Sequence, residues 1–492
     1  MKNISLEKNR VARIKFGTDG FRGIIAKDFT FYEVDAIVHA VAEYIYSEKL
    51  NALVNVCYDR RFMSDLFAAR VCETLNSLGV SAVFSKSPVP TPALSCIMRN
   101  SEAGLGLMVT ASHNSYEYNG IKIKTRDGAS APGSVIGKIQ KIIDGYAETG
   151  FETDEIRKKF GIADSGDCLE IDPLPLYLEN IKKAVDIEKI RGLSKKILIN
   201  PMHGSQSGLF SRFALMSGLR LETDEIFSDH NPLFPGFNPE PILPNLRQMS
   251  AHMSNAPFNS RFLAGFAFDG DGDRIAAMTS NGTFVSPQSV FSILLYHLAK
   301  NKGVRGEIAK TVSVTSLISA IAGKYGLKIN ETPIGFKYIA DLMLSPEHDI
   351  AIGGEESGGI GLSHYMPERD GLFLALMLLE VMAYENKSLE ELLALLEKEF
   401  GAFHYDRDDH HVSEKKFAVI KQKISTEKFT CILDKKVASL IDTDGYKYFL
   451  ADGSWILFRF SGTEPVLRIY AESREKSFTK ALLNFAKENL EL

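Results

Sequence analysis

The first third of the chain alternates short apolar runs with longer stretches of helical period. Residues 53–59, LVNVCYD, are apolar and β-branched, which predicts a strand. After Ser64 the apolar positions Leu66, Phe67, Val71, Leu75 and Leu78 recur at helical spacing, so Ser64 is expected to cap a helix that Gly79 ends. A strand is expected over 80–85, a helix near 91–99 after a Pro-rich turn, and a buried strand over 105–110 that stops at the polar ASHN. Strands and helices alternating in this way make a mainly parallel sheet.

The same pattern returns twice. A strand over 195–204 leads to an apolar helix at 207–218 and later to the strand FLAGFAFD, 262–269, which halts at an acidic, glycine-containing loop. A strand over 307–314 leads to a helix near 316–325 and the segment TPIGFKYIADLML, and DIAIGG, 349–354, runs into EESGG. Each buried strand delivers a polar loop at its carboxyl end, where open α/β sheets bind ligands, so three such blocks offer three walls of one cleft. The blocks share pattern and not sequence. The last 90 or so residues differ: the charged run HYDRDDHH (404–411), a helical segment, then paired strands around YKYFLADGSWILFRF with a hairpin turn at 451–454. The expected organisation is three α/β domains with mainly parallel mixed sheets, 1–168, 169–284 and 285–402, and a smaller C-terminal α+β domain, 403–492.

A length of 492 residues fits this division at roughly 100–200 residues per domain. Fifty-seven basic against 62 acidic side chains give a net charge of -5, so no bulk cationic field exists to hold nucleic acid or an anionic membrane. Five cysteines without a C-x-x-C pair point to reduced thiols and a cytoplasmic protein. The N-terminal residues lack the apolar core of a secretory signal, and the apolar run 372–383 is broken by Glu380 and too short to cross a bilayer.

Three segments carry chemistry. In FDGDGDR, 268–274, Asp269, Asp271 and Asp273 alternate with glycines that leave the carboxylates free to converge. Three crowded like charges need a cation, and an all-oxygen set on a small loop suits Mg²⁺ better than Ca²⁺. An EF-hand would need glycine at the sixth loop position and glutamate at the twelfth, where Arg274 and Ser280 stand. In VTASHN, 109–114, Ser112 sits where a buried strand gives out; alone it reads as a turn residue, and no G-x-S-x-G elbow supports a hydrolase triad. In RFSGTEPVLR, 459–468, Arg459, Ser461, Thr463 and Arg468 surround Gly462 as a phosphate cradle, while no P-loop motif occurs in the chain.

Taken together, FGTDGFRG (16–23), TASHN with NGIKI after it (119–123), FDGDGDR, TPIGFKYI (332–339), GGEESGG (353–359) and RFSGTEP resemble, in order, the motifs of the α-D-phosphohexomutases, the family of phosphoglucomutase and phosphomannomutase. The resemblance spans nearly the whole chain. It implies four domains around a central cleft, the last of them a mobile phosphate-binding domain. It also implies that Ser112 is a phosphoserine and that Asp269, Asp271 and Asp273 hold one Mg²⁺ with a phosphoserine oxygen as a further ligand. Glu355 and Ser357 fall in the sugar-recognition loop, and Arg459, Ser461, Gly462, Thr463 and Arg468 in the loop that grips the non-reacting phosphate. Arg22, His113, Lys122, Arg274 and Lys337 match cleft positions, with the general acid and base among Lys122, His113 and Lys337.

The activity so implied interconverts hexose 1- and 6-phosphates through a hexose 1,6-bisphosphate, with glucose 1,6-bisphosphate as activator and a small sugar phosphate as the only partner, in a monomer or dimer. Glu356 departs from the GEMSG and GEQSG loops of dual-specificity mutases and phosphoglucosamine mutases, which favours glucose and leaves phosphomannomutase as the near alternative. A metal-dependent phosphomonoesterase and a non-catalytic sugar-phosphate sensor are the rivals from other classes.

Overall fold

The computed structural model describes residues 10–17, 19–255, 257, 262–460 and 465–492. Its chain forms four sheets, three of mixed direction and one antiparallel. In the first, the strands Leu53–Tyr58, Leu105–Val109, Ser81–Ser85 and Cys168–Ile171 run parallel, and Tyr118–Lys124 and Phe21–Ile24 add antiparallel at one edge. Every residue of Leu105–Val109 is buried, as a strand covered by helices on both faces requires. The first sheet thus takes in residues up to Ile171, and the second takes in Phe284–Val285, each running slightly past the expected joints at 168 and 284.

The second sheet pairs Ala264–Phe268 and Glu222–Glu225 in parallel with Lys196–Asn200, then continues antiparallel through Ile275–Met278 to Phe284–Val285. The third sets Glu307–Thr311 between Ile329–Thr332 and Ile350–Gly354 in parallel, with Ile360–Leu362 antiparallel at the edge. One apolar core runs from the helix Thr91–Arg99 of the first domain through Phe210 and Phe266 of the second to Leu376 and Leu396 of the third. Within it the helix Gly371–Glu385 is apolar almost all round and packs on strands of the second sheet. Its one buried acid, Glu380, accepts from Lys302 Nζ (2.6 Å), the Asp186 backbone N–H (2.5 Å) and His297 Nε2 (3.0 Å), so the charge that interrupts the apolar run ties two domains together. Among the described residues, no helix is long and apolar enough to cross a membrane.

The helix expected from Ser64 runs Ser64–Ser77, but Ser64 does not cap it. Met63 occupies the capping position, and the Ser64 hydroxyl donates to Asp59 Oδ1 at 2.8 Å. The reason is burial: Asp59, five residues earlier, is enclosed beside the strand end and takes the Ser64 hydroxyl. The charged run 404–411 forms the strand His404–His411, paired along its length with Val466–Ser473 in an antiparallel sheet completed by Trp455–Phe460, Tyr446–Leu450, Lys435–Ile441 and Cys431–Ile432. One face of this sheet builds the C-terminal core around Ile456, Phe458, Leu467 and Ile469; the other turns Trp455, Leu457 and Tyr470 toward Val312 of the third domain.

Candidate active site

Ser112 lies in the loop after Leu105–Val109 with a backbone φ of 54°, a left-handed conformation that costs a non-glycine residue about 1 kcal/mol or more. Arg61 over-determines it. Its guanidinium is fully buried and donates to the carbonyls of Ser112 (2.6 Å), Asn114 (2.6 Å), Ser115 (2.8 Å) and Tyr118 (3.1 Å). Asp59 completes the clamp, 3.5 Å from Arg61 Nε and accepting from Thr110 Oγ1 at 2.5 Å, while Thr110 Oγ1 accepts from the Ser112 N–H at 2.8 Å. The result is a hydroxyl only 1% exposed, held at a fixed point.

At that point the second domain arrives. Ser112 Oγ donates to Asp269 Oδ2 at 3.0 Å, and His113 Nδ1 stands 3.4 Å from the same hydroxyl. Gly270 permits the approach: a Cβ there would sit 2.5 Å from the Ser112 carbonyl oxygen. Asp269, Asp271 and Asp273 are all fully buried, each offering an oxygen within 4.8 Å of the others'.

Asp269 spends both oxygens on the protein, Oδ2 on Ser112, whereas Asp271 and Asp273 each spend one and keep the other unpaired. Asp269 Oδ1 accepts from the Arg274 N–H (3.1 Å); Asp271 Oδ2 accepts from Thr91 Oγ1 (2.5 Å) and Lys122 Nζ (2.8 Å); Asp273 Oδ2 accepts from Arg369 Nη2 (2.6 Å) and Lys122 Nζ (3.1 Å). Asp271 Oδ1 and Asp273 Oδ1 are buried without a partner. Burial and the neighbouring charges of Asp273 and Asp271 push the Asp269 carboxyl well above the ordinary range. Crowded, partly unpaired carboxylate oxygens fit a small hard cation, the donor set Mg²⁺ prefers.

The cations nearby are in place. Burial alone would lower Lys122, yet Asp19 (2.8 Å), Asp271 and Asp273 outweigh it and hold the ammonium above its ordinary value. Burial, then Arg274, Arg22, Arg61 and Lys122, hold His113 well below its ordinary value. Arg22 donates to Asn114 Oδ1 at 2.7 Å, and Arg274 Nε lies 3.8 Å from Asp269 Oδ2.

Around this centre the structure places residues that the motifs did not single out. Arg369, nearly buried, reaches Asp19 (2.9 Å), Asp273, Glu355 (3.4 Å) and Glu368 (3.2 Å), so its guanidinium meets carboxylates of all three α/β domains. Glu368 also binds Lys124. The segment that carries Glu368 and Arg369 lacks hydrophobic periodicity, and only the distant partners reveal it. Arg61 carried a fainter signal, an arginine two positions past the carboxyl end of a predicted strand.

In the GEESGG segment, Glu355 is buried and its carboxyl is pushed up to about 7 by burial, which the Arg369 charge only partly offsets. Ser357 is half-buried beside it in sequence, and Glu356 Oε2 is taken by Ser313 Oγ (2.6 Å). Lys337 lies in the first turn of the helix Phe336–Leu344, its ammonium 5.0 Å from the Tyr338 ring centroid. Arg459 donates to Asp444 at 3.1 Å, and Asp444 also accepts from the Ile334 N–H, joining the last domain to the third. Ser461, Gly462 and Thr463 lie outside the described residues.

Three α/β domains with strand-end loops meeting at one buried acidic centre, and a fourth antiparallel domain beyond them, define the class of intramolecular phosphotransferases that the fold and the comparisons share. The four domain families described as phosphoglucomutase/phosphomannomutase, α/β/α domains I, II and III and C-terminal domain, match residues 13–150, 175–282, 286–400 and 411–487. The chain belongs to the phosphoglucomutase/phosphomannomutase family, the α-D-phosphohexomutases.

A phosphoglucomutase/phosphomannomutase of Thermococcus kodakarensis is 28% identical over 97% of this chain and 98% of its own. A phosphoglucosamine mutase of Ruminiclostridium cellulolyticum is 28% identical over 94% of this chain and 95% of its own. The crystal structure of a Thermus thermophilus protein assigned as a phosphomannomutase superposes with a TM-score of 0.84 at 31% identity, covering 98% of this chain and 100% of that one.

Proposed function

We propose that this chain interconverts hexose 1-phosphate and hexose 6-phosphate, with glucose as the preferred sugar, through phosphorylated Ser112 and a hexose 1,6-bisphosphate. The observation that carries the reading is the 3.0 Å contact between Ser112 Oγ and Asp269 Oδ2, which sets a hydroxyl against the carboxylate trio. Mg²⁺ held by Asp269, Asp271 and Asp273 with an oxygen of the Ser112 phosphate would offset the charge that builds on the phosphoryl oxygens.

The chain's own residues supply the rest. In the first transfer a sugar hydroxyl oxygen bonds to phosphorus, the bond from phosphorus to Ser112 Oγ breaks, the hydroxyl proton leaves and Ser112 Oγ gains one. In the second the bisphosphate, turned round in the cleft, returns its other phosphoryl group to Ser112 by the reverse steps. Removal and return of the proton are assigned to the set Lys122, His113 and Lys337, a contribution typically about 10²- to 10⁴-fold. Of the three, His113 lies within reach of Ser112 Oγ in this structure. Arg22 and Arg274 orient the phosphoryl group, Glu355 and Ser357 recognise sugar hydroxyls, and Arg459 and Arg468 hold the phosphate that does not react, with glucose 1,6-bisphosphate serving to prime Ser112. Burial of Ser112 keeps water from its phosphate.

The test is a coupled assay of glucose, mannose and glucosamine 1-phosphates with Mg²⁺ and a trace of glucose 1,6-bisphosphate, on the parent chain and on Ser112→Ala. Turnover in the parent and its loss, by at least about 10⁴-fold, in the variant are expected. Full activity in Ser112→Ala would reject the phosphoserine scheme, steady release of inorganic phosphate would favour a phosphomonoesterase, and comparable kcat/KM for two sugars would remove the glucose preference.

A further inference from the structure

In the C-terminal sheet, Asp409 stands directly across from Arg468, and Arg468 directly across from Arg459, so the three side chains share one face. This is the face opposite the C-terminal core, and it also carries Arg407 and Tyr470, paired with each other in the register. The Tyr405 and Tyr470 hydroxyls on this face are buried without a hydrogen-bond partner among the described residues, as is Glu472 Oε2.

An aspartate facing an arginine across two strands is placed to take the guanidinium as a two-pronged pair, which would withdraw that arginine from any ligand. Here another arginine takes the aspartate instead. Arg407 donates from Nε to Asp409 Oδ1 at 2.6 Å and from Nη2 to Asp409 Oδ2, with its guanidinium 5.6 Å from the centroid of the Tyr470 ring. Arg468 Nε stands 3.7 Å from that same Oδ2, a loose ion pair beyond hydrogen-bond length, and is buried with no hydrogen-bond partner among the described residues.

We infer that Arg407 is a positioning residue: by occupying both oxygens of Asp409 it keeps Arg468 free for a phosphate group of the substrate. This rests on the phosphohexomutase reading, in which Arg459 and Arg468 hold the non-reacting phosphate. It assigns a role to the pair Arg407 and Asp409, which lies outside every motif of the chain. It also makes a demand that simple structural support would not make: removing Arg407 harms ligand binding only while Asp409 is present to seize Arg468.

The measurement is calorimetric binding of glucose 1,6-bisphosphate to the Ser112→Ala chain, which cannot turn it over, with further substitutions added. Arg468→Gln is expected to loosen binding about tenfold or more. Arg407→Gln is expected to loosen it to a similar degree, and adding Asp409→Asn to Arg407→Gln to return it within about threefold of the parent. Arg407→Lys, whose single ammonium satisfies only part of the Asp409 carboxylate, should fall between, and it serves if the glutamine variant does not fold. Melting temperatures of the variants confirm that each is compared as a folded chain. Unchanged affinity in Arg407→Gln alongside a loss in Arg468→Gln would overturn the inference alone, as would failure of Asp409→Asn to restore binding. Unchanged affinity in Arg468→Gln would sink the phosphate-holding reading of this face, and the inference with it.

Discussion

Ser112 and Asp269, separated by 157 positions in the chain, share a hydrogen bond of 3.0 Å between fully enclosed side chains. Asp269, Asp271 and Asp273 repel one another there, and Asp271 Oδ1 and Asp273 Oδ1 have no partner to relieve the repulsion. A divalent cation should therefore stabilise the fold as well as enable turnover. At one hundred times its dissociation constant, Mg²⁺ or Mn²⁺ should add about 2.7 kcal/mol, read as a rise in melting temperature that Asp273→Asn largely abolishes. A melting curve insensitive to both ions would refute the cation site, and chelation should abolish activity.

Gly270 fixes the distance between the two loops. A methyl group there would meet the Ser112 carbonyl oxygen at 2.5 Å, and since both partners are backbone, neither yields cheaply. Gly270→Ala should separate the hydroxyl from the carboxylates, and a displacement near 1 Å costs on the order of 10²-fold in kcat. Sugar-phosphate affinity should change much less. Activity within a factor of about three of the parent would contradict this account of the glycine.

Arg61 is a prediction about stability and catalysis together. Arg61→Met leaves Asp59 buried with its charge unpaired and frees the Ser112, Asn114, Ser115 and Tyr118 carbonyls. Breaking such a buried pair costs about 3–5 kcal/mol, measurable by urea denaturation. With the left-handed Ser112 backbone released, kcat should fall even under conditions where the variant is folded. A variant with the parent's denaturation midpoint would show that Arg61 carries no such load.

In the proposed mutase, Glu355 should give sugar binding a pH dependence. Burial raises its carboxyl to about 7, so the group is largely protonated below that pH and ionised above it. An ionised carboxylate is the better acceptor for sugar hydroxyls, so kcat/KM should rise through pH 7, and Glu355→Gln should be lower and flat over the same interval. The sign for stability is opposite: a carboxyl raised above its unfolded value favours the folded state less as pH climbs from the ordinary glutamate range toward 7. An unchanged pH profile in Glu355→Gln would assign the rise to another group.

Much of the frame could be read from the chain itself. Apolar runs ending in polar loops predicted strands that deliver ligand-binding ends, and the strands Leu105–Val109, Ala264–Phe268 and Ile350–Gly354 do end at TASHN, DGDGD and EESGG. One local reading lost to a neighbouring group: Ser64 has the chemistry of a cap, but the buried Asp59, five positions earlier, took its hydroxyl. HYDRDDHH has no alternation of apolar positions, and the strand it forms carries paired charges.

Periodicity and motif chemistry are local, so the sequence by itself determined the alternating elements, the acidic loop, the serine after its strand and the arginines before and after the last turn. Which charges meet was decided only by the fold. Arg369 touches Asp19 across 350 positions, and Lys124 touches Glu368 across 244. An ion pair depends on where two side chains stand in space, and for partners on different sheets that separation is set by the packing of the domains.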